Sequence, residues 1–309
     1  MRQEIKERLE KTISAYGISK AQASREMGYS SSVVSAYTSG SYSGDIAQLE
    51  DNIVNWCARQ ERLHKRKRIP TVETSALKSI CKAIQMAHSY HDIALITADA
   101  GGSKTTSAKF YAEKNGNTTV LIQVVAGMNK KMLVTEIAEK LDLSTQRVPF
   151  NTLVQLTAKA LAERDSLVII DEADYLKSDA LEFVRRLVYD LGESGLVLMG
   201  LPRLRGMIQN LRSDHRQLES RIGISLPLEG LNRSDAKLIA QSVWKDCPQD
   251  VVNAMFTVSR NDVRQFTKIM ERMQNVMEEN NLPTPTVEAA DLAATMVLRR
   301  GERLNGRAA

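Results

Sequence analysis

The apolar run Ile93-Ala-Leu-Ile-Thr97 breaks into a loop of small residues, Ala98-Asp-Ala-Gly-Gly-Ser103, and then into Lys104-Thr-Thr-Ser-Ala108, which opens a helix. A buried strand that feeds a tight loop and a helix N-terminus is half of a β-loop-α unit. Its backbone N–H groups converge on one point, where the helix dipole adds about half a positive charge. An anion is the natural guest there, and the lysine supplies a full charge for the β- and γ-phosphates of a nucleotide. The hydroxyl that follows it can ligate Mg²⁺. The general phosphate-loop pattern is G-x-x-x-x-G-K-[ST]. Here Ala98 and Ser103 stand where that pattern has glycine, and Gly101 and Gly102 sit inside the loop. Two adjacent glycines still permit the close backbone approach that a phosphate needs. Ala100, Gly101, Gly102, Ser103, Lys104, Thr105 and Thr106 are therefore the expected nucleotide contacts, ATP with Mg²⁺ being the expected cofactor. A strand-turn-helix connection bearing a surface lysine has the same outline, so the reading depends on a second motif.

That motif is Leu167-Val-Ile-Ile-Asp-Glu172, four apolar residues ending in two carboxylates. A strand buried on both faces of a parallel sheet delivers such acids to its C-terminal edge, where α/β proteins bind ligands. Asp171 is placed to hold the metal and Glu172 to orient or deprotonate a water. Between and around the two motifs, apolar runs (118–125, 195–200) alternate with helical periodicity (75–89, 106–114, 129–141, 151–164, 181–191). Alternation of this kind predicts a parallel sheet with right-handed crossovers and helices on both faces.

Residues 1–63 read differently, as a small all-helical unit. Ile5, Leu9 and Ile13 recur at helical spacing, Ser19 begins a second helix that Gly28 closes, and Tyr29 to Gly40 holds a third. Two short helices around a glycine turn form a helix-turn-helix. Ala23, Gly28, Val34 and Gly40 resemble the corresponding positions of phage repressor and Cro-like domains. That resemblance implies DNA contacts from Ser30, Ser31, Ser32, Ser35 and Tyr37. These are hydroxyls without a bidentate base reader, so little sequence preference is expected. A helical protein-interaction module is the alternative. After a further amphipathic helix (45–63) comes His64-Lys-Arg-Lys-Arg-Ile-Pro70, read as a basic linker over 64–72. Lys65, Arg66, Lys67 and Arg68 in it are either a solvated tether or phosphate contacts.

From residue 228 to the end, only helical spacing recurs (234–244, 249–259, 262–280, 287–298), closed by a short basic tail. The formal charge of +5 permits an anionic partner without demanding one. Three widely spaced cysteines make neither a disulfide framework nor a zinc site, which suits a reducing compartment. No apolar run has transmembrane length and the N-terminus is not a signal peptide, so no membrane partner is expected.

The order of phosphate loop, Asp-Glu strand, further strand Gly195-Leu-Val-Leu-Met-Gly200 and helical lid resembles the AAA+ family of ATPases. With the N-terminal module in front, it resembles in particular the MuB-like target-DNA activators of phage Mu-type transposition systems. The resemblance implies four parts: a helix-turn-helix domain (1–63), the linker (64–72), an AAA+ nucleotide-binding α/β domain (73–227) and a helical lid with a basic tail (228–309). It implies a catalytic set of Lys104, Asp171, Glu172 and an arginine acting on a neighbouring subunit, Arg221, with Arg216 as a rival. Arg264 would be the nucleotide-sensing arginine of the lid. The implied protein is an ATP-dependent, non-specific DNA-binding ATPase in the bacterial cytoplasm. It would coat double-stranded DNA as a homo-oligomeric helical filament and deliver it to a transposase. Asn129, Lys130, Lys131 and Lys177 are the cations expected to face that DNA. A helicase loader of the same class, or a transcriptional regulator with a degenerate nucleotide fold, are the alternatives. Leu201-Pro202 replaces the polar residue that often follows the Leu-Met-Gly strand, which points to slow or partner-stimulated turnover.

Overall fold

The computed structural model describes residues 3–64, 69–209 and 217–298. The chain divides into two compact units after residue 68. The expected basic contacts Lys65, Arg66, Lys67 and Arg68, the rival Arg216 and the basic tail lie outside the described residues.

The first unit consists of α1 (Gln3–Tyr16), α2 (Lys20–Glu26), α3 (Val33–Ser39) and α4 (Ile46–His64). Ser19 caps α2 by accepting the Gln22 N–H at 3.1 Å, and Gly40 ends α3 with a φ of 78° that a side chain would strain. Leu9, Ala23, Val34, Tyr37, Leu49, Ile53 and Trp56 form one core. Glu26 ties α2 to α4 by accepting the Trp56 indole N–H at 2.9 Å and the Gln60 amide at 2.7 Å.

The second unit begins with α5 (Ser75–Ser89) and β1 (Ile93–Ala98), followed by α6 (Lys104–Lys114), β2 (Thr119–Gln123), α7 (Lys130–Lys140) and α8 (Phe150–Glu163). Then come β3 (Leu167–Asp171), α9 (Ser178–Arg185), β4 (Gly195–Gly200), α10 (Arg203–Gln209), α11 (Gln217–Ser220) and β5 (Ile222–Leu228). The five strands form one parallel sheet in the order β2-β3-β4-β1-β5. Period-two alternation sends Leu95, Ile122, Ile170 and Leu198 into a core under α7, α8 and α9. Ala94, Ile96, Ile169 and Val197 point the other way, against Ile80 and Ile84 of α5 and Ala108 of α6. The strands β1, β3 and β4 are buried at every position, because helices cover both faces.

Two features differ from the sequence expectation. β5 was not anticipated; it is a half-buried edge strand, where Pro227 is tolerated because an edge leaves one row of backbone groups unpaired. The helix expected over 181–191 is instead α9 followed by a π-helical turn, Arg186–Leu191. The wider turn brings Asp190 to the Arg185 guanidinium, whose side chain is 3% exposed and also holds Glu182 at 2.8 Å. A buried guanidinium is costly unless it is paired in this way.

The remaining helices are α12 (Arg233–Gln241), α13 (Gln249–Ser259), α14 (Val263–Glu279) and α15 (Val287–Leu298). They share a separate core around Phe266, Ile269, Met270 and Met273 of α14. Ile69 and Val72 pack against this cluster, so the second half of the expected linker belongs to the folded unit.

Candidate functional site

The C-terminal ends of β1 and β3 deliver the two motifs to one cleft with a cavity volume of about 410 Å³. Lys104 is the first residue of α6, and its ammonium donates to the Ala98 carbonyl at 2.6 Å and to the Asp99 carbonyl at 3.0 Å. It thereby spans the small-residue loop. Burial pushes its pKa below the ordinary lysine value, opposed by the charges of Asp171, Asp174 and Asp99, while Arg264 pushes it further down. Two cations facing one space repel each other, and an anion placed between them would relieve both.

Thr105 donates from Oγ1 to Asp171 Oδ2 at 2.6 Å. Asp171, 2% exposed, also accepts the Glu172 N–H through Oδ1 at 3.0 Å. Glu172 has a left-handed φ of 59°, which turns the chain sharply at the strand end. A hydroxyl and a carboxylate side by side are suitable donors for a hydrated hard cation. Among the described residues, no group of three His, Cys, Asp or Glu side chains is arranged to hold a metal alone. A divalent cation here would take its other ligands from water and phosphate.

The loop shows how it does without the two pattern glycines. Ser103 adopts a φ of 61° and caps no N–H of α6 with its side chain. Gly102 lies so close to Ala98 that an added Cβ would come within 2.7 Å of the alanine Cβ. Gly101 (φ 80°) faces the lid, where an added Cβ would come within 1.9 Å of Asp262 Oδ1. Glycine has thus moved to where space is tightest. Ala100, Ser103 and Thr106 line the same cleft, and so does Arg264 on the first turn of α14.

Several lining residues were not assigned to the site from the sequence. Ile69 and Val72 form an apolar wall with Thr74 beside them, and Gly200 and Leu201 lie at the end of β4. Asp174 is 7% exposed and accepts the Leu201 N–H at 3.1 Å and Arg203 Nε at 2.7 Å. An acid three residues after Asp171 was the available signal for it. Chain segments that meet only in space left no signal for the others.

Arg221 is not at this cleft. It precedes β5, at the N-terminal edge of a parallel sheet whose C-terminal edge holds Lys104, and it pairs with Asp190 at 3.6 Å. A strand the length of β1 separates the two edges by about 20 Å.

Asn129, Lys130, Lys131 and Lys177 come together around a second cavity of about 430 Å³. Asn129 caps α7 by accepting the Met132 N–H at 3.0 Å, and Lys130 is held by Asp179 at 3.1 Å. In the first unit Ser30, Ser31, Ser32 and Ser35 are exposed. Tyr37 is not exposed with them, which corrects the sequence expectation: it is 1% exposed and donates its hydroxyl to Glu50 at 3.0 Å. On a short helix Tyr37 shares the inward face with Val34, three residues earlier. Burial and the Glu50 carboxylate push its pKa up to about 12.

Residues 87–208 match the AAA domain family. The chain is 26% identical over 293 residues to the ATP-dependent target DNA activator B of Escherichia phage Mu, an alignment covering 92% of this chain and 86% of that protein. It is 28% identical over 233 residues to the protein of the same name from Escherichia phage D108, covering 72% of each. Against the Mu-like prophage FluMu DNA transposition protein B of Haemophilus influenzae the identity is 25% over 259 residues, covering 82% of this chain and 89% of the relative. Among solved structures, the Aeropyrum pernix ORC2 protein in its ADPNP-ADP complexes is similar in fold. The TM-score is 0.57 at 15% identity, covering 74% of this chain and 69% of that one.

Proposed function

We propose that this chain, a homologue of the Mu-type target DNA activators built around an AAA domain, is an ATPase that uses nucleotide to control its hold on target DNA and presents that DNA to a transposase. The observation that carries the reading is the convergence of Lys104 and Arg264 on the cleft where Thr105 meets Asp171.

The residues fit the expected guest. Lys104 exchanges two loop carbonyls for the β- and γ-phosphate oxygens, and the Gly101-Gly102 backbone cradles them. Thr105 and Asp171 would hold Mg²⁺, which would supply charge neutralisation at the transferred phosphoryl group. Glu172 orients the attacking water from the strand tip. The wall of Ile69, Val72 and Ile239 receives the base, and Arg264 links the lid to the phosphates. Arg221 lies on the far edge of its own sheet, so it serves a neighbouring subunit. Turnover then depends on assembly, as suits a homo-oligomer that forms a helical filament on duplex DNA.

Ser30, Ser31, Ser32 and Ser35 suit phosphate contacts, as do Lys130, Lys131 and Lys177 in the second unit. The serine hydroxyls are not bidentate readers of bases and the lysines serve phosphate in this reading, so binding is of low sequence preference and falls steeply with salt. The relatives' names favour this reading over a helicase loader or an operator-binding regulator. No helix among the described residues is long and apolar enough to cross a membrane, and the host cytoplasm is the proposed site of action.

The deciding experiment measures duplex binding by the wild type and Lys104→Ala with ATP, with ADP and without nucleotide. ATP-dependent binding that the substitution abolishes supports the reading. Equal binding under all conditions by both proteins removes the nucleotide switch.

A further inference from the structure

Tyr175 is a wall of both cavities: it lines the nucleotide cleft and also the space ringed by Lys130, Lys131 and Lys177. Its side chain is 48% exposed, so its position depends on specific partners rather than on a surrounding core. The Arg203 guanidinium lies 5.2 Å from the ring centroid, within cation–π range. The same guanidinium binds Asp174 Oδ2, through Nε at 2.7 Å and Nη2 at 2.6 Å. The other oxygen of Asp174 accepts the Leu201 N–H at 3.1 Å, and Leu201 lines the nucleotide cleft.

The backbone makes the same connection. A 3-10 turn, Ala173–Tyr175, starts directly after Glu172, and the Tyr175 N–H donates to the Glu172 carbonyl at 3.0 Å. Leu176, 1% exposed, anchors the end of this turn, and Lys177 and Asp179 then reach the second cavity. Asp179 there holds Lys130. A path of seven peptide links thus leads from Glu172, the acid proposed to meet the attacking water, to Asp179, the carboxylate that restrains a proposed DNA contact.

We propose that Tyr175, held by Arg203 and Asp174, couples the state of the nucleotide cleft to the grip of the lysine-ringed cavity on a duplex phosphate backbone. The inference rests on the preceding reading of the two cavities and names the residue that links them. Tyr175 acts as a positioning residue. When the strand end adjusts to a triphosphate, the short turn moves as a unit and carries the ring that walls the cationic space. Coupling of this kind is reciprocal, so DNA raises the affinity for ATP by the same factor by which ATP raises the affinity for DNA.

The test uses the full chain and a fluorescent duplex, with affinities measured in a slowly hydrolysed ATP analogue and in ADP. The ratio of the two affinities is the readout, since a purely structural role would lower both together. Tyr175→Phe keeps the ring and is expected to keep the ratio. Tyr175→Ala is expected to lower it about fivefold or more, toward one, with the same loss in the effect of DNA on nucleotide affinity. Arg203→Lys keeps the charge but not the planar guanidinium, and is expected to lower the ratio with the tyrosine intact. A wild-type ratio in Tyr175→Ala overturns the proposal. If the alanine variant is unfolded by circular dichroism, a wild-type ratio in Arg203→Lys overturns it instead. A wild type that binds duplex equally in both nucleotides fails the earlier reading, an outcome distinct from either of these.

Discussion

The Thr105 hydroxyl donates a 2.6 Å hydrogen bond to Asp171 Oδ2, joining the first turn of α6 to the tip of β3 across 66 residues of chain. Thr105→Val keeps the shape and removes the donor, leaving a buried carboxylate oxygen short of a partner. An unmatched buried acceptor costs about 1–3 kcal/mol. If the pair holds Mg²⁺, calorimetry will show at least about a tenfold loss of ATP affinity with magnesium and a much smaller one in chelator. Equal losses in both would mean that the threonine only shapes the loop.

Ser103 carries a left-handed φ of 61° at the position where phosphate loops have glycine. An L-residue there costs about 1–2 kcal/mol, part of which glycine gives back in chain entropy. Ser103→Gly is expected to raise the melting temperature by about 2–4 °C. Gly101→Ala should do the opposite, since its φ is 80° and its Cβ would press on Asp262. Differential scanning calorimetry of the two variants, with nucleotide absent, checks both signs.

The depressed pKa of Lys104 has a pH consequence whose sign is definite. The folded chain releases this proton at lower pH than the unfolded chain, so the lysine's penalty on stability fades as pH rises toward the ordinary lysine range. Phosphate binding requires the charged form. ATP affinity is therefore expected to decline at an alkaline pH below that of an unperturbed lysine, and Lys104→Arg should remove that decline. A flat affinity profile for the wild type up to the ordinary lysine pKa would contradict it.

Arg221 pairs with Asp190 on the opposite sheet edge from the cleft of its own chain. If it acts on a neighbour, Arg221→Ala should lower DNA-stimulated turnover about a hundredfold or more while leaving its own nucleotide site intact. Mixing it with Lys104→Ala is then expected to restore part of the activity, because mixed assemblies pair one intact cleft with one intact arginine. No recovery across mixing ratios would place the arginine's role within its own subunit.

Much of the second unit is legible in the sequence. A helix expected over 262–280 is α14, Val263–Glu279, with Asp262 and Asn280 as its caps. Ser75–Ser89 and Gln249–Ser259 fall where their periodicity put them. These features depend on neighbours within one or two turns, and capping side chains mark their own ends. β5 was missed because Gly223, Ser225 and Pro227 interrupt its apolar residues, a pattern that suits only an edge position no local window reveals. Tyr37 was assigned outward for its hydroxyl, whereas its ring decided its place and Glu50 satisfied the oxygen.

By itself the sequence determined the ingredients: apolar runs that must be buried on both faces, a lysine at a helix start, and acids at a strand end. Local sterics and solvation act on residues close in the chain, so these are written into short stretches. Which groups meet was decided by tertiary structure alone. The parallel sheet puts Asp171 beside Thr105 and Arg221 out of reach of both, and the packing of α14 brings Arg264 to the cleft of Lys104. The wide turn after α9 and the Tyr175 wall shared by two cavities likewise exist only once distant segments pack. Electrostatic and steric forces fall off with distance in space, whatever the separation along the chain.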